Sequence, residues 1–240
     1  MDNSNFYTEE TARTRQDFFS LDISTDYVND FFFTIVRKKL SEGNRVLDIG
    51  TGNGYVLHEV TKRFPELHLI VYGVDNSEVM LKEARGKLPE HAHVLCGDNY
   101  CLPFSDRHFD MVTAKNVTLF SPSEVYRVLR KSSNFVFREY GCGKGLVEIA
   151  EMFPSRLIRS RDSSFYLDSL KDAGFDGVSL HKLKFVKDYS MEQLLQILRM
   201  FPFIKDYSEL DEGKIRAAHR GKSSIKITSD PIIIVGRKPE

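Results

Sequence analysis

A chain of 240 residues, 41% hydrophobic and 28% charged, has the length and composition of a soluble globular protein with an ordinary core. Its 34 Lys and Arg balance its 34 Asp and Glu, which excludes the broad positive field behind non-specific nucleic-acid binding. Three cysteines, an odd number without a CxxC pair, argue for free thiols and a reducing compartment.

The polar start MDNSNFYTEE lacks the apolar region of a signal peptide. The stretch FFFTIV at 31–36 is too short to cross a bilayer. A cytoplasmic protein without membrane contact is expected. Residues 6–41 begin with the aromatics Phe6, Tyr7, Phe18 and Phe19. They continue into an apolar helix with Tyr27, Val28, Phe31, Phe32, Ile35 and Val36 at helical spacing. From residue 45, short β-branched runs alternate with amphipathic segments. RVLDIG (45–50) predicts a buried strand and YVLHEVTKRF (55–64) the helix behind it. LHLIVYGVD (67–75) predicts the second strand, followed by a helix over 77–87 and the strand AHVLCGD (92–98).

FDMVTAK (109–115) and SNFVFREY (133–140) are the fourth and fifth strands. Between them, SPSEVYRVLRK (121–131) predicts a helix capped by Ser121, with Pro122 in its first turn and Glu124 closing a capping box. A helix near 163–173 ends at Gly174, a strand follows around 177–187, and PIIIVGR (231–237) is the last strand. Ser190 and Gln193 form a second capping box ahead of the apolar stripe SMEQLLQILRMF. Such alternation predicts an α/β fold, a doubly wound sheet with helices on both faces. Its ligand would lie beyond the carboxyl ends of the strands. We expect a single domain over 1–240: a helical lid at 1–41, a core at 42–187, a helical insertion or cap at 188–230 and the last strand at 231–237.

The chemistry starts at VLDIGTGNG (46–54). A dinucleotide fingerprint, G-x-G-x-x-G, would put its third glycine at position 55, which is Tyr55. Here the third glycine is Gly54, and Asp48 stands just before the turn. A carboxylate repels a diphosphate, but it suits a ligand that presents a positive group. S-adenosylmethionine does so twice, through its ammonium and its sulfonium. The glycines Gly50, Gly52 and Gly54 let the backbone approach closely.

D-x-G-x-G-x-G after a first strand resembles the first motif of class I S-adenosylmethionine-dependent methyltransferases. VYGVDNS resembles the second, and CGDNYCLPFSDRHFDMV the third and fourth, in the form found in the small-molecule, ubiquinone- and menaquinone-methyltransferase-like branch. The likeness covers residues 45–140. It implies the Rossmann-like methyltransferase sheet, mostly parallel with an antiparallel last strand, and S-adenosyl-L-methionine as cofactor. Asp48 and the turn Gly50, Thr51, Gly52 and Gly54 would meet the cofactor. Asp75, beside Asn76, would hold both ribose hydroxyls, since a carboxylate accepts from a vicinal diol. Asp98 would accept from the adenine amino group, with Asn99 beside the ring. Lys115 and Asn116, in AKNVTLF, would line the methionine end.

Methyl transfer needs alignment and exclusion of water more than acid–base machinery, and no side chain is assigned as a catalytic base. Tyr7, Phe18 and Phe19 are candidate walls for the acceptor. Arg138 and Tyr140 at the end of the fifth strand are candidate polar contacts, although strand alternation turns Glu139 the other way. Asp162 is either a helix cap or a contact for a cationic acceptor. GCGKG (141–145) lacks the spacing of a phosphate loop. No metal site is expected: His91, His93, Cys96 and Cys101 lack the close cysteine pairing of zinc ligands. The expected reaction is methylation of N, O or C on a small metabolite or natural-product intermediate by a monomer or homodimer. The alternatives are a peptide or RNA methyltransferase docking through KIRAAHRGK (214–222), or a non-catalytic protein of the same fold. The charge balance and the absence of an Asn-Pro-Pro-Tyr signature argue against nucleic acid as partner.

Overall fold

The computed structural model describes residues 26–117, 119–158, 162–201 and 203–240. Among them the chain forms two compact units. The first takes the chain through Glu139, with Ser164–His181 and Ile233–Glu240; the second comprises Tyr140–Ser163 and Lys182–Ile232.

Helix α1 (Asp26–Arg37) precedes strand β1 (Arg45–Ile49), helix α2 (Tyr55–Arg63) and strand β2 (Ile70–Asp75). Then come α3 (Glu78–Lys87), β3 (His93–Cys96), β4 (Phe109–Lys115), α4 (Pro122–Val128) and β5 (Leu129–Tyr140). After α5 (Val147–Met152) and α6 (Ser163–Asp172), β6 (Asp176–Lys182) and β7 (Phe185–Tyr189) are followed by α7 (Met191–Met200), α8 (Glu209–Ala218), β8 (Ile225–Ser229) and β9 (Pro231–Arg237).

Seven strands form one sheet in the order β3-β2-β1-β4-β5-β9-β6. The first five pair in parallel. β9 runs against its neighbours. Gly141 N–H donates to Asp230 O at one end and Lys238 N–H to Ser133 O at the other, so the β5 numbers fall as the β9 numbers rise. This is the doubly wound sheet with an antiparallel strand that the motifs imply. The interior strands are buried on both faces, as a helix-covered parallel sheet requires. Val46, Leu47 and Ile49 of β1, Met111, Val112 and Ala114 of β4, and Phe135, Val136 and Phe137 of β5 are all fully buried.

Several expectations need correction. The helix expected over 121–131 stops at Val128, and β5 takes up the chain at Leu129, earlier than residue 133. Ser121 does cap it, accepting from Glu124 N–H at 3.2 Å, but the capping box does not close. The Glu124 carboxylate is drawn away by the Arg127 guanidinium at 2.7 Å and Leu102 N–H at 2.8 Å. The strand expected around 177–187 is two strands. β6 joins the large sheet, and β7 pairs antiparallel with β8 in a separate two-stranded sheet. The apolar alternation changes phase at His181–Lys182, from Val178 and Leu180 to Leu183 and Phe185, a shift that one continuous strand would not carry. The α1 stripe is also rotated: Val28, Phe32, Phe33 and Val36 are buried, whereas Tyr27 is 64% exposed. The second capping box, Ser190 with Gln193, is present on α7.

Candidate cofactor and active site

Parallel pairing brings strand ends to one edge. Asp48 stands in register with Gly73 of β2 and Thr113 of β4, and Lys115 with Arg138 of β5. The glycine turn leaves β1 at this edge. Gly50, Gly52 and Gly54 have φ of 60°, 54° and 78°, a region L side chains avoid. Space is as restrictive as conformation at Gly50, where an added Cβ would sit 2.5 Å from Val117 Cγ2. Thr51 N–H donates to Val74 O at 2.9 Å, tying the turn to β2.

Gly73, whose role no local motif signals, makes that contact possible. A Cβ there would come within 2.8 Å of the Thr51 side chain. Only the pairing of β2 against the turn reveals it.

Asp75 ends β2 and fixes what surrounds it. One carboxylate oxygen accepts Gly52 N–H at 2.8 Å, and the other accepts Ser77 N–H at 2.9 Å, at the cap of α3. The acid therefore orders both the glycine turn and the next helix start. Asn76, beside it, is exposed. Asp98 is exposed and accepts Tyr100 N–H at 2.9 Å.

Asn99 is anchored through its backbone, its carbonyl accepting Ser121 N–H at 3.1 Å. Its side-chain amide lies over the turn: Nδ2 is 3.5 Å from the place a Gly50 Cβ would take. Asn99 Oδ1 is buried without a hydrogen-bond partner among the described residues. A buried acceptor left unpaired costs roughly 1–3 kcal/mol. Such an atom fits a ligand that brings its own donor.

Two ionisable groups at this edge are strongly perturbed. Asp48 is only 1% exposed, and burial raises its carboxyl to about 7 despite the hydroxyl of Thr113, which donates at 2.7 Å. Lys115 is half-buried at the end of β4. Burial, and next the neighbouring Arg138 guanidinium, lower its amine to about 7, with Asp48 and Glu139 pulling weakly the other way. Its Nζ lies 4.6 Å above the centre of the Tyr55 ring. Asn116, in left-handed conformation, accepts from the buried Arg138 guanidinium through Oδ1.

The first unit thus brings Asp48, Gly50, Thr51, Gly52, Gly54, Asp75, Asn99, Lys115, Asn116 and Arg138 to the carboxyl edge of its strands. Tyr140 and Asp162 belong to the second unit, with Asp162 exposed one residue before α6. Tyr7, Phe18 and Phe19, like Phe6, lie outside the described residues. In the second unit the GCGKG amides already hold an anion. Asp230 accepts Gly143 N–H at 2.8 Å and Gly145 N–H at 2.7 Å through its carboxylate. Among the described residues no group of three or more His, Cys, Asp or Glu could hold a metal ion. No helix there is long and apolar enough to cross a membrane.

Comparison with known proteins places this geometry. Residues 46–136 match the model of a methyltransferase domain. A demethylmenaquinone methyltransferase of Thermotoga maritima is 36% identical over 126 residues, 51% of this chain and 51% of that protein; the match spans about half that relative's length. A structure described as a putative methyltransferase of Bacillus halodurans superposes with a TM-score of 0.64 at 21% identity, over 87% of this chain and 99% of the other. Phosphoethanolamine N-methyltransferase 2 of Haemonchus contortus, solved with phosphomonomethylethanolamine and S-adenosylhomocysteine, also scores 0.64, at 19% identity over all of this chain and 61% of the other. At these identities the two structures speak for the fold. The stretch that carries the glycine turn thus resembles a methyltransferase domain, and the sheet around it has the fold of solved methyltransferases.

Proposed function

We propose that the protein transfers the methyl group of S-adenosylmethionine to N, O or C of a small metabolite in the cytoplasm. The observation that carries this reading is the pairing of a glycine turn, bonded to Asp75, with the buried Asn99 Oδ1 beside it, which has no partner among the described residues. The donor set fits adenosine: an acceptor for the adenine amino group at Asn99 or Asp98, and a carboxylate for the ribose diol at Asp75. Asp48 supplies negative charge behind the turn once ionised.

When bound, the cofactor supplies the electrophilic methyl group. The chain's own residues orient it and exclude water. The name of the Thermotoga maritima relative points to a quinone-type acceptor, which favours a small molecule over a polymer. The basic run 214–222 supports the same choice: Lys214 lies 3.9 Å from Asp211 and Arg216 pairs with Glu192 at 2.8 Å, so its charge is partly neutralised. Within the first unit, Arg138 at the carboxyl edge of β5 is the acceptor contact this reading keeps.

Calorimetry tests the central reading. The wild type should bind S-adenosylhomocysteine and not NAD. Asp75→Ala should bind it more than tenfold more weakly, about 1.4 kcal/mol or more. Unchanged affinity in that variant would remove the ribose assignment.

A further inference from the structure

The side-chain amine of Lys115 has no salt bridge and no hydrogen bond to any described residue, although it is half-buried and lies at the carboxyl edge of the sheet. Buried lysines are ordinarily paired. Its surroundings are mixed. β1 contributes Asp48, β5 contributes Arg138 and Glu139, and α2 contributes the face of Tyr55. Tyr55 follows Gly54 directly, so the amine is fixed against the residue that leaves the glycine turn. Arg138 stands across from it in register.

We propose that Lys115 is the proton acceptor of methyl transfer, so that the site carries one extra positive charge before the reaction and one after it. This rests on the cofactor reading above. The balance is simple. A bond forms between the methyl carbon and the acceptor atom, while the carbon–sulfur bond breaks and sulfur keeps the electron pair. The acceptor's proton passes to the Lys115 Nζ lone pair. A neutral S-adenosylhomocysteine and an ammonium then stand where a sulfonium and an amine stood.

Three features suit the geometry to this exchange. A second fixed cation beside a sulfonium would oppose cofactor binding, and the burial and the Arg138 charge that favour the neutral amine avoid it. The Tyr55 ring face receives the ammonium once it forms. Asp48, on the adjoining strand, favours the charged form from a distance without locking it in an ion pair.

The test needs no acceptor. Affinities for S-adenosylmethionine and S-adenosylhomocysteine are measured by calorimetry from pH 6 to 8.5. In the wild type the sulfonium form should gain on the thioether form as pH rises, by about tenfold or more across a midpoint near neutrality. In Lys115→Met and Lys115→Gln the ratio should be flat, with S-adenosylhomocysteine bound as tightly as by wild type at low pH or more tightly. A flat ratio in the wild type overturns the proposal. So does a loss of S-adenosylhomocysteine binding in both variants that Lys115→Arg restores, which would make Lys115 a holder of the cofactor carboxylate. Failure of the wild type to bind either compound would instead sink the cofactor reading itself.

Discussion

Asp48 and Lys115 show how a site sets the cost of its own charges. Both have lost water, and both are displaced toward neutrality, the acid upward and the amine downward. The stability consequences have opposite signs. For Asp48 the folded carboxyl holds its proton to about 7 while an unfolded one loses it near 3.8. Stability is therefore greatest below that unfolded value and falls as pH rises through 7. For Lys115 the unfolded amine holds its proton to 10.5 and the folded one only to about 7. Its penalty is full below 7 and is relieved as pH rises toward 10.5. Asp48→Asn should accordingly melt higher than wild type at pH 8, by roughly 1–3 kcal/mol, with the gain vanishing at pH 4. Thermal melts at both values check this; equal gains at the two would contradict it. Asn99→Ala should behave differently. Its Oδ1 has no partner among the described residues to lose, so stability should hold within about 0.5 kcal/mol while S-adenosylhomocysteine affinity falls several-fold.

At the level of elements, local rules were readable wherever both partners of an interaction are close in sequence. The Ser190–Gln193 capping box spans three residues and is present as written, with the Ser190 N–H bonded to Gln193 Oε1 at 2.8 Å. Ser190→Ala should cost about 1 kcal/mol in denaturant unfolding. The same reading at Ser121 and Glu124 met a competitor from elsewhere. Arg127, three residues on along the same helix, and the Leu102 amide, 22 residues back, take the carboxylate, and a capping rule weighs neither competitor. The GCGKG loop is the sharper case. Its spacing argued against a phosphate loop, but only the fold shows Asp230, 85 residues on from Gly145, accepting its amides. Asp230→Ala removes the partner of two backbone donors and should destabilise by roughly 2–4 kcal/mol, read as a lower denaturant midpoint. A shift below about 0.5 kcal/mol would mean that water replaces the carboxylate without loss.

Over the whole molecule, the seven-stranded sheet and the two-stranded β7–β8 pair differ in how their backbone bonds are covered. β1 and β4 lie inside the large sheet with both faces buried, whereas each strand of a two-stranded pair has one open edge. Hydrogen exchange should rank Leu47, Ile49, Val112 and Ala114 among the slowest amides. Lys187 and Ile227 should exchange at least about tenfold faster. Equal protection would imply that the pair opens only with global unfolding. The strand alternation, the glycine turn and the order of the acidic residues after it point to this sheet. The seven-strand order and its antiparallel β9 then agree with that expectation.

What the sequence determined by itself is whatever follows from periodicity and backbone chirality over a few residues. This includes the buried strands, the helix faces to within a rotation, the left-handed glycines and the placing of acids at strand ends. Tertiary structure alone decided which groups lose water together. It put Thr51 on Gly73, left Asn99 Oδ1 without a partner among the described residues, filled the second glycine loop with Asp230 and moved Asp48 and Lys115 toward neutrality. Each of these depends on atoms tens of residues apart meeting within a few ångströms, and on the low dielectric that their meeting creates. No local pattern encodes either.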